Sequence, residues 1–187
     1  MNEDYLKWRD VELVKYEKKY FDYVYKIYQD YGSRYLFTNN LNIVSKKKMW
    51  DDLSKKINYT YHQFMIIMNV KKQIPVGFIY SYDYNIKDNY LYLAVCLEDN
   101  ARNSVIGAEA GMIFLNYLFK NYPIRKIYCT VYEYNKMCMS FLKNAGFKPE
   151  GILKEHRYFD GKYYDMNILA FYREWLPELA GRLKFNK

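Results

Sequence analysis

Cysteine and histidine are scarce in this chain of 187 residues, which has three of the first and two of the second. Cys96, Cys129 and Cys138 fall inside apolar segments and form no CxxC pair. That excludes a disulfide framework and a zinc ribbon, and leaves three reduced, mostly buried thiols. His62 and His156 alone add too little imidazole for a metal centre, so no metal is expected. Four prolines and eight glycines are too few to build a linker, and nothing repeats along the chain, so residues 1–187 are expected to form one domain. Long apolar runs are also missing. The longest, Tyr90 to Leu97, spans eight residues, against the ~18 a membrane span needs. The acidic start Met1-Asn2-Glu3-Asp4 lacks the basic and apolar regions of a secretory signal. A soluble, cytoplasmic protein with no membrane partner is expected.

Tyrosine is abundant, with 24 residues, and Lys plus Arg exceed Asp plus Glu by 29 to 21. Rings buried with hydroxyls at the rim would suit a polar, aromatic groove. The excess of +8 favours an anionic ligand such as a phosphorylated cofactor, or a ribonucleoprotein. The charge is dispersed, however. Its densest cluster, Lys46-Lys47-Lys48, belongs to the solvated face of a helix, so direct nucleic-acid binding is not expected.

Periodicity orders the elements. Val11 to Lys15 alternates as a strand, and Phe21, Val24, Tyr25 and Tyr28 follow helical spacing between Glu17 and Tyr31. Ser45 can cap a helix that runs to about Ile57 with Met49 and Leu53 on one face. Phe64 to Met68, Val76 to Tyr82 and Tyr90 to Leu97 form a meander, with Gly77 a bulge or a close approach. A helix from about Ile106 to Asn121 then crosses to a parallel strand, Arg125 to Tyr132. Asn135 can cap a helix ended by Gly146, and two strands flank Asp160-Gly161 before a short helix carrying Trp175. The class is α+β, a mixed and mostly antiparallel sheet with helices on both faces.

The loop Asn100-Ala101-Arg102-Asn103-Ser104-Val105-Ile106-Gly107-Ala108 opens the long helix, where free N–H groups and the helix dipole favour a phosphate. Neither GxxxxGK[ST] nor GxGxxG is present, which excludes the common triphosphatase and dehydrogenase readings. Further on, Asn135 is followed by Phe141-Leu142-Lys143-Asn144-Ala145-Gly146-Phe147-Lys148-Pro149-Glu150-Gly151 and then the Asp160-Gly161 hairpin. This tail resembles the GNAT N-acetyltransferases, and more narrowly their ribosomal-protein N-terminal alanine or serine branch. The resemblance runs from about Val11 to Trp175 and implies a GNAT-type sheet with a splayed central strand pair.

The resemblance also implies roles. Acetyl-CoA would be the co-substrate, with backbone amides of Arg102, Asn103, Ser104, Val105, Ile106, Gly107 and Ala108 on its pyrophosphate. Val95, Cys96 and Leu97 would bind its pantetheine arm as an added strand and supply an oxyanion donor, and Asn135 would contact the arm. The family places glycine where Val105 stands. A β-branched residue resists φ > 0 there, so weakened acetyl-CoA, a shifted cofactor or lost catalysis are open. The tyrosine that often serves as general acid is replaced by Leu142, leaving the acid unassigned, with Tyr134 and Ser140 as candidate donors.

Acyl transfer to an ammonium needs a base, for which Glu98, at the end of the strand, is the candidate, directly or through water. Cys138 as a covalent nucleophile is disfavoured, since no histidine is near it in sequence. The leading expectation is N-acetylation of a primary amine: a protein N-terminus, an amino sugar or another small amine. The alternative is a degenerate acyl-CoA-binding or ribosome-binding module. Partners are then the amine acceptor and, in the ribosomal reading, a ribosomal protein; homodimers are frequent among such folds.

Overall fold

A computed structural model describes residues 3–30, 32, 34–37, 44–102 and 104–185. Eight strands form one sheet: β1 (Lys7–Trp8), β2 (Val11–Lys15), β3 (Tyr61–Asn69), β4 (Ile74–Asn85), β5 (Tyr90–Leu97), β6 (Lys126–Tyr132), β7 (Lys148–Phe159) and β8 (Lys162–Tyr172). Their order across the sheet is β1-β2-β3-β4-β5-β6-β8-β7. Every neighbouring pair is antiparallel except β5 and β6, which the long helix α4 (Ile106–Asn121) joins as a crossover. The remaining helices are α1 (Phe21–Gln29), α2 (Lys46–Tyr59), α3 (Asp99–Arg102), α5 (Lys136–Asn144) and α6 (Leu176–Leu183). This is the expected mixed α+β sheet with its parallel central pair.

The pleat sends alternate side chains to opposite faces, and each face has its own helices. Leu91 and Leu93 of β5 pack with Ala110, Ile113 and Phe114 of α4, Leu142 of α5 and Leu179 of α6. Cys96 packs on the other side with Phe64, Ile66 and Phe78, under Val24 and Ile27 of α1 and Leu53 of α2. Lying between the two layers, β3 is buried on both faces from Phe64 to Ile67, hence its unbroken apolar run. Helix α4 is buried almost all round, from Ala110 to Phe119.

Local signals act where expected. The Ser45 hydroxyl accepts from the Lys48 N–H at 3.2 Å to start α2. Gly146, with φ +93, ends α5, and Asp160 and Gly161 both take positive φ in the β7–β8 turn, as a two-residue hairpin of this type requires. Two details differ from expectation. The polar stretch after β5 holds the single helical turn α3, too short to show periodicity. Trp175 lies in a 3-10 turn leading into α6. Among the described residues, no helix is long and apolar enough to cross a membrane.

Candidate active site

The parallel pair β5–β6 is short. Register pairs run only from Tyr90↔Lys126 to Tyr92↔Tyr128, although β5 continues to Leu97 and β6 to Tyr132. Beyond that point the strands diverge. The carbonyl of Leu93 accepts the Cys129 thiol at 3.4 Å, and the carbonyl of Leu97 accepts Nε of Arg102 at 3.0 Å. Both carbonyls therefore point away from β4 and toward the gap. By the two-residue period, so do the N–H and C=O of Val95. On the other edge, β5 is held against β4 by Gly77, where any Cβ would overlap the Cys96 carbonyl oxygen. The outcome is an unpaired strand edge facing a cleft of about 660 Å³.

The expected site residues divide around this cleft. Val95, Cys96, Leu97, Arg102, Gly107 and Asn135 line it. Val105 is the N-cap of α4 with φ −70, and its side chain is 65% exposed. The expected conflict between valine and a positive φ is thus absent, because the backbone is already helical there. Ser104 folds inward, its hydroxyl donating to the Ala101 carbonyl at 2.7 Å and accepting from the Ile106 N–H at 3.3 Å. Since the first intrahelical bond of α4 runs from Glu109 to Val105, the N–H groups of Gly107 and Ala108 have no intrahelical acceptor. A Cβ on Gly107 would lie 3.1 Å from Leu97 Cδ1, so this glycine keeps the helix end close to the strand. Asn103 lies outside the described residues.

The Arg102 side chain is turned onto its own loop and strand. Besides its bond to Leu97, its guanidinium pairs with Asp99 at 2.5 Å, and its side chain is only 17% exposed. It clips the end of β5 to α3. Asn135 caps α5, accepting from the Cys138 N–H at 3.1 Å, while its amide donates to the Leu36 carbonyl at 3.5 Å.

Glu98 is absent from the cleft lining. Its N–H extends the β4 ladder to Val76 at 3.1 Å. Its charge adds to burial in raising the hydroxyl pKa of Tyr23 on α1. Of the other candidate donors, Tyr134 donates its hydroxyl to the Tyr35 carbonyl at 2.9 Å, and Ser140 is exposed on α5 outside the lining. Burial pushes the Cys138 thiol up to about 11 and raises Cys96 and Cys129 well above the ordinary thiol range. All three stay protonated near neutrality, so a thiolate nucleophile has no support.

Sequence reasoning missed a polar group set at the closed end of the cleft: Tyr82, Asp83, Tyr92 and Thr130. The register slips between Tyr82 and Asn85, and Asp83 has φ +50. A bulge of this kind re-aims a side chain, and no simple alternation announces it. Burial raises the Tyr82 hydroxyl well above its ordinary range, with Thr130 pulling the other way. Tyr82 is therefore a proton-bearing donor at neutral pH.

An unpaired parallel-strand edge and a glycine-tightened helix N-terminus thus open onto one cleft. The acetyltransferase (GNAT) domain family matches residues 26–168, and the chain belongs to that family. It is an acetyl-CoA-dependent N-acetyltransferase. No curated protein matches the chain at a significant level. In structure it is similar to spermidine N-acetyltransferase from Vibrio cholerae in complex with CoA and spermine. That likeness has TM-score 0.82 and 14% identity over 90% of this chain and 98% of that one. A chimera of the spermidine N-acetyltransferase SpeG from Vibrio cholerae and hSSAT gives TM-score 0.80 and 14% identity, over 90% and 99%. Mutant forms of the spermidine/spermine N-acetyltransferase SpeG from Vibrio cholerae give 0.75 and 14%, over 90% and 98%. At such identities the likeness is one of fold.

The residues present fit acetyl-CoA. The open Val95 edge offers both a donor and an acceptor to an amide-bearing arm. The N–H groups of Gly107 and Ala108 belong to the first turn of a sixteen-residue helix, at its positive end. Among the described residues, no cluster of His, Cys, Asp and Glu fit for a metal occurs.

Proposed function

We propose that the chain acetylates a small primary amine that enters over the β4–β5 face beside α1 and α2, opposite α4. The observation that carries this reading is the unpaired edge at Val95, between a phosphate-suited helix end and a tyrosine-lined pocket. Acetyl-CoA supplies the acetyl group. The amides of Gly107 and Ala108 would hold its pyrophosphate, and Asn135 would meet its arm from the α5 side. The Val95 N–H would orient and polarise the thioester carbonyl, and the half-buried Tyr82 hydroxyl, which keeps its proton, would offer a hydrogen bond within the pocket. Glu98 is retained as the base acting through water, since its carboxylate does not line the cleft.

A small acceptor is supported by the aromatic enclosure of Tyr28, Phe37, Tyr82 and Tyr92 and by the likeness to enzymes of spermidine. A peptide N-terminus, as in the ribosomal-protein branch, is the second reading, favoured by the tail from Phe141 to Gly151. Release of CoA thiol across a panel of amines and N-terminal peptides tests both, beside calorimetric binding of acetyl-CoA. The proposal expects one acetyl-CoA per chain and turnover with small amines; no binding and no turnover would remove it.

A further inference from the structure

Across the gap from Val95 the sheet carries an apolar shelf at the same height. The parallel register ends at Tyr92↔Tyr128; counted onward, it sets Ala94 and Cys96 level with Thr130 and Tyr132. Those two pair with Ile168 and Met166 of β8, and Met166 pairs in turn with Leu153 of β7. Paired residues share a face of the sheet. Tyr80 belongs to the core beneath α1 and α2, and the ring row Tyr80–Tyr82–Tyr92–Tyr128 carries that face across to β6. Ile168, Met166 and Leu153 therefore stand on the acceptor side, and all three line the cleft. Leu153 is 40% exposed there. Gly151, beside Ile168, brings no side chain to cover it, and even a Cβ would stop 3.8 Å from Ile168 Cδ1. A short 3-10 turn, Arg34–Leu36, closes this side of the cleft. The Tyr35 ring lies flat on Phe159 of β7 at 4.8 Å, and Phe37 meets Tyr28 of α1 edge-on at 5.4 Å. Leu36 and Phe37 then face the slot as lining residues.

Charge is arranged elsewhere. Asp83, the one carboxylate among the described residues that line the cleft, lies where β4 meets Tyr90 and Tyr92, at the closed end and off the shelf. The outer edge of the shelf is cationic instead, with the Arg157 guanidinium 5.4 Å from the centre of the Tyr132 ring. A nitrogen at the height of Val95 thus meets no lining carboxylate that would hold its proton. A second ammonium carried across the gap would lose its hydration on aliphatic side chains and approach a guanidinium. An uncharged apolar body meets neither cost. We infer that the preferred acceptor is a primary amine with an uncharged aliphatic body, its nitrogen at the thioester and its tail laid across the gap on Ile168, Met166 and Leu153. The inference rests on the amine-acetylating reading and narrows its substrate class. Leu153 is a specificity-determining residue in it.

Hexylamine, 5-aminopentanol and cadaverine test this, being chains of equal length that end in a methyl, a hydroxyl and an ammonium. Initial rates on wild type should give kcat/KM falling in that order, by roughly 5-fold or more from the methyl to the hydroxyl and further to the ammonium. Leu153→Asp places a carboxylate on the shelf and should narrow or reverse the ratio of hexylamine to cadaverine. Leu153→Ser, a milder change, should lower kcat/KM for hexylamine and leave that for cadaverine within about twofold. Unchanged Tm and acetyl-CoA affinity check the fold of both variants. Calorimetric binding of hexylamine and cadaverine to the CoA-loaded chain reads the slot without turnover. A chain that acetylates none of the three yet binds hexylamine more tightly than cadaverine, in a Leu153-dependent way, would sink the enzymatic reading and keep the slot. Turnover that favours cadaverine, or that is equal for all three, overturns the inference and leaves the enzymatic reading standing. Absence of both turnover and hexylamine binding overturns both.

Discussion

A methyl group on Gly77 would overlap the Cys96 carbonyl oxygen and approach Leu97 Cδ2 to 2.8 Å. Both contacts are on β5, so the missing Cβ sets how closely the strand edge lies to its neighbour. Gly77→Ala is expected to destabilise by about 1–3 kcal/mol, the range of overpacked cores, and to raise the KM for acetyl-CoA in proportion to the displaced strand. Denaturant unfolding and a KM measurement check this together. Arg102, bonded to Leu97 and Asp99, shapes the same strand end rather than reaching outward. Arg102→Ala should therefore weaken acetyl-CoA and a pantetheine thioester without nucleotide to the same degree, as titration of both would show. A larger loss for acetyl-CoA would mean that the guanidinium reads phosphate. For Glu98→Gln, a base working through water predicts a loss at or below the lower end of the roughly 10²–10⁴-fold range. The loss should shrink as pH rises and the free amine fraction grows. A flat, wild-type pH–rate profile would transfer the proton to bulk solvent.

Helix α5 shows one residue serving its element while facing the site. Asn135→Ala removes a cap and should cost about 0.5–2 kcal/mol. Asn135→Ser keeps a capping oxygen and loses the amide that reaches Leu36. Recovered thermal stability in the serine variant with a still-raised KM for acetyl-CoA would assign Asn135 a part in binding as well as in capping. The element order was legible in the sequence because period, caps and turn residues agree there, as in Ser45 before α2 and Asp160-Gly161 between β7 and β8. The parallel pair was legible from the length of the α4 crossover. What escaped notice has a common physical form. A one-residue bulge at Asp83 and a single turn at Asp99–Arg102 shift which way side chains point, without altering composition or the wider period. The fold-back of the Arg102 side chain onto Leu97 follows from that turn.

Across the whole sheet, the three C-terminal strands are tied by a carboxylate. Glu150 of β7 takes Lys126 of β6 at 2.8 Å, Tyr128 at 3.0 Å and Tyr172 of β8 at 2.7 Å. Burial alone would raise its pKa, but the bonds from Lys126, Tyr172 and Tyr128 outweigh burial and hold it below the ordinary 4.5. A depressed carboxylate stabilises fully above its unfolded value and loses that stabilisation as pH falls through the folded one. Glu150→Gln should thus lower Tm at neutral pH and flatten the acid limb below pH 4.5, seen in a Tm–pH series. Among the described residues no carboxylate ties the other side of β6, where five strands meet three through three residue pairs and the cleft begins.

Two leaves joined at a vertex make a taper, and a taper converts distance along the strand into width. An acyl group of a given thickness can descend toward Tyr92 only until the leaves touch it. On the proposed seating, a bulkier acyl group would come to rest further out, its carbonyl carried past the Val95 N–H while the nucleotide end stayed at Gly107. Lengthening the acyl chain should therefore erode turnover faster than affinity, so that the angle between β5 and β6 acts as the enzyme's gauge for the size of what it transfers.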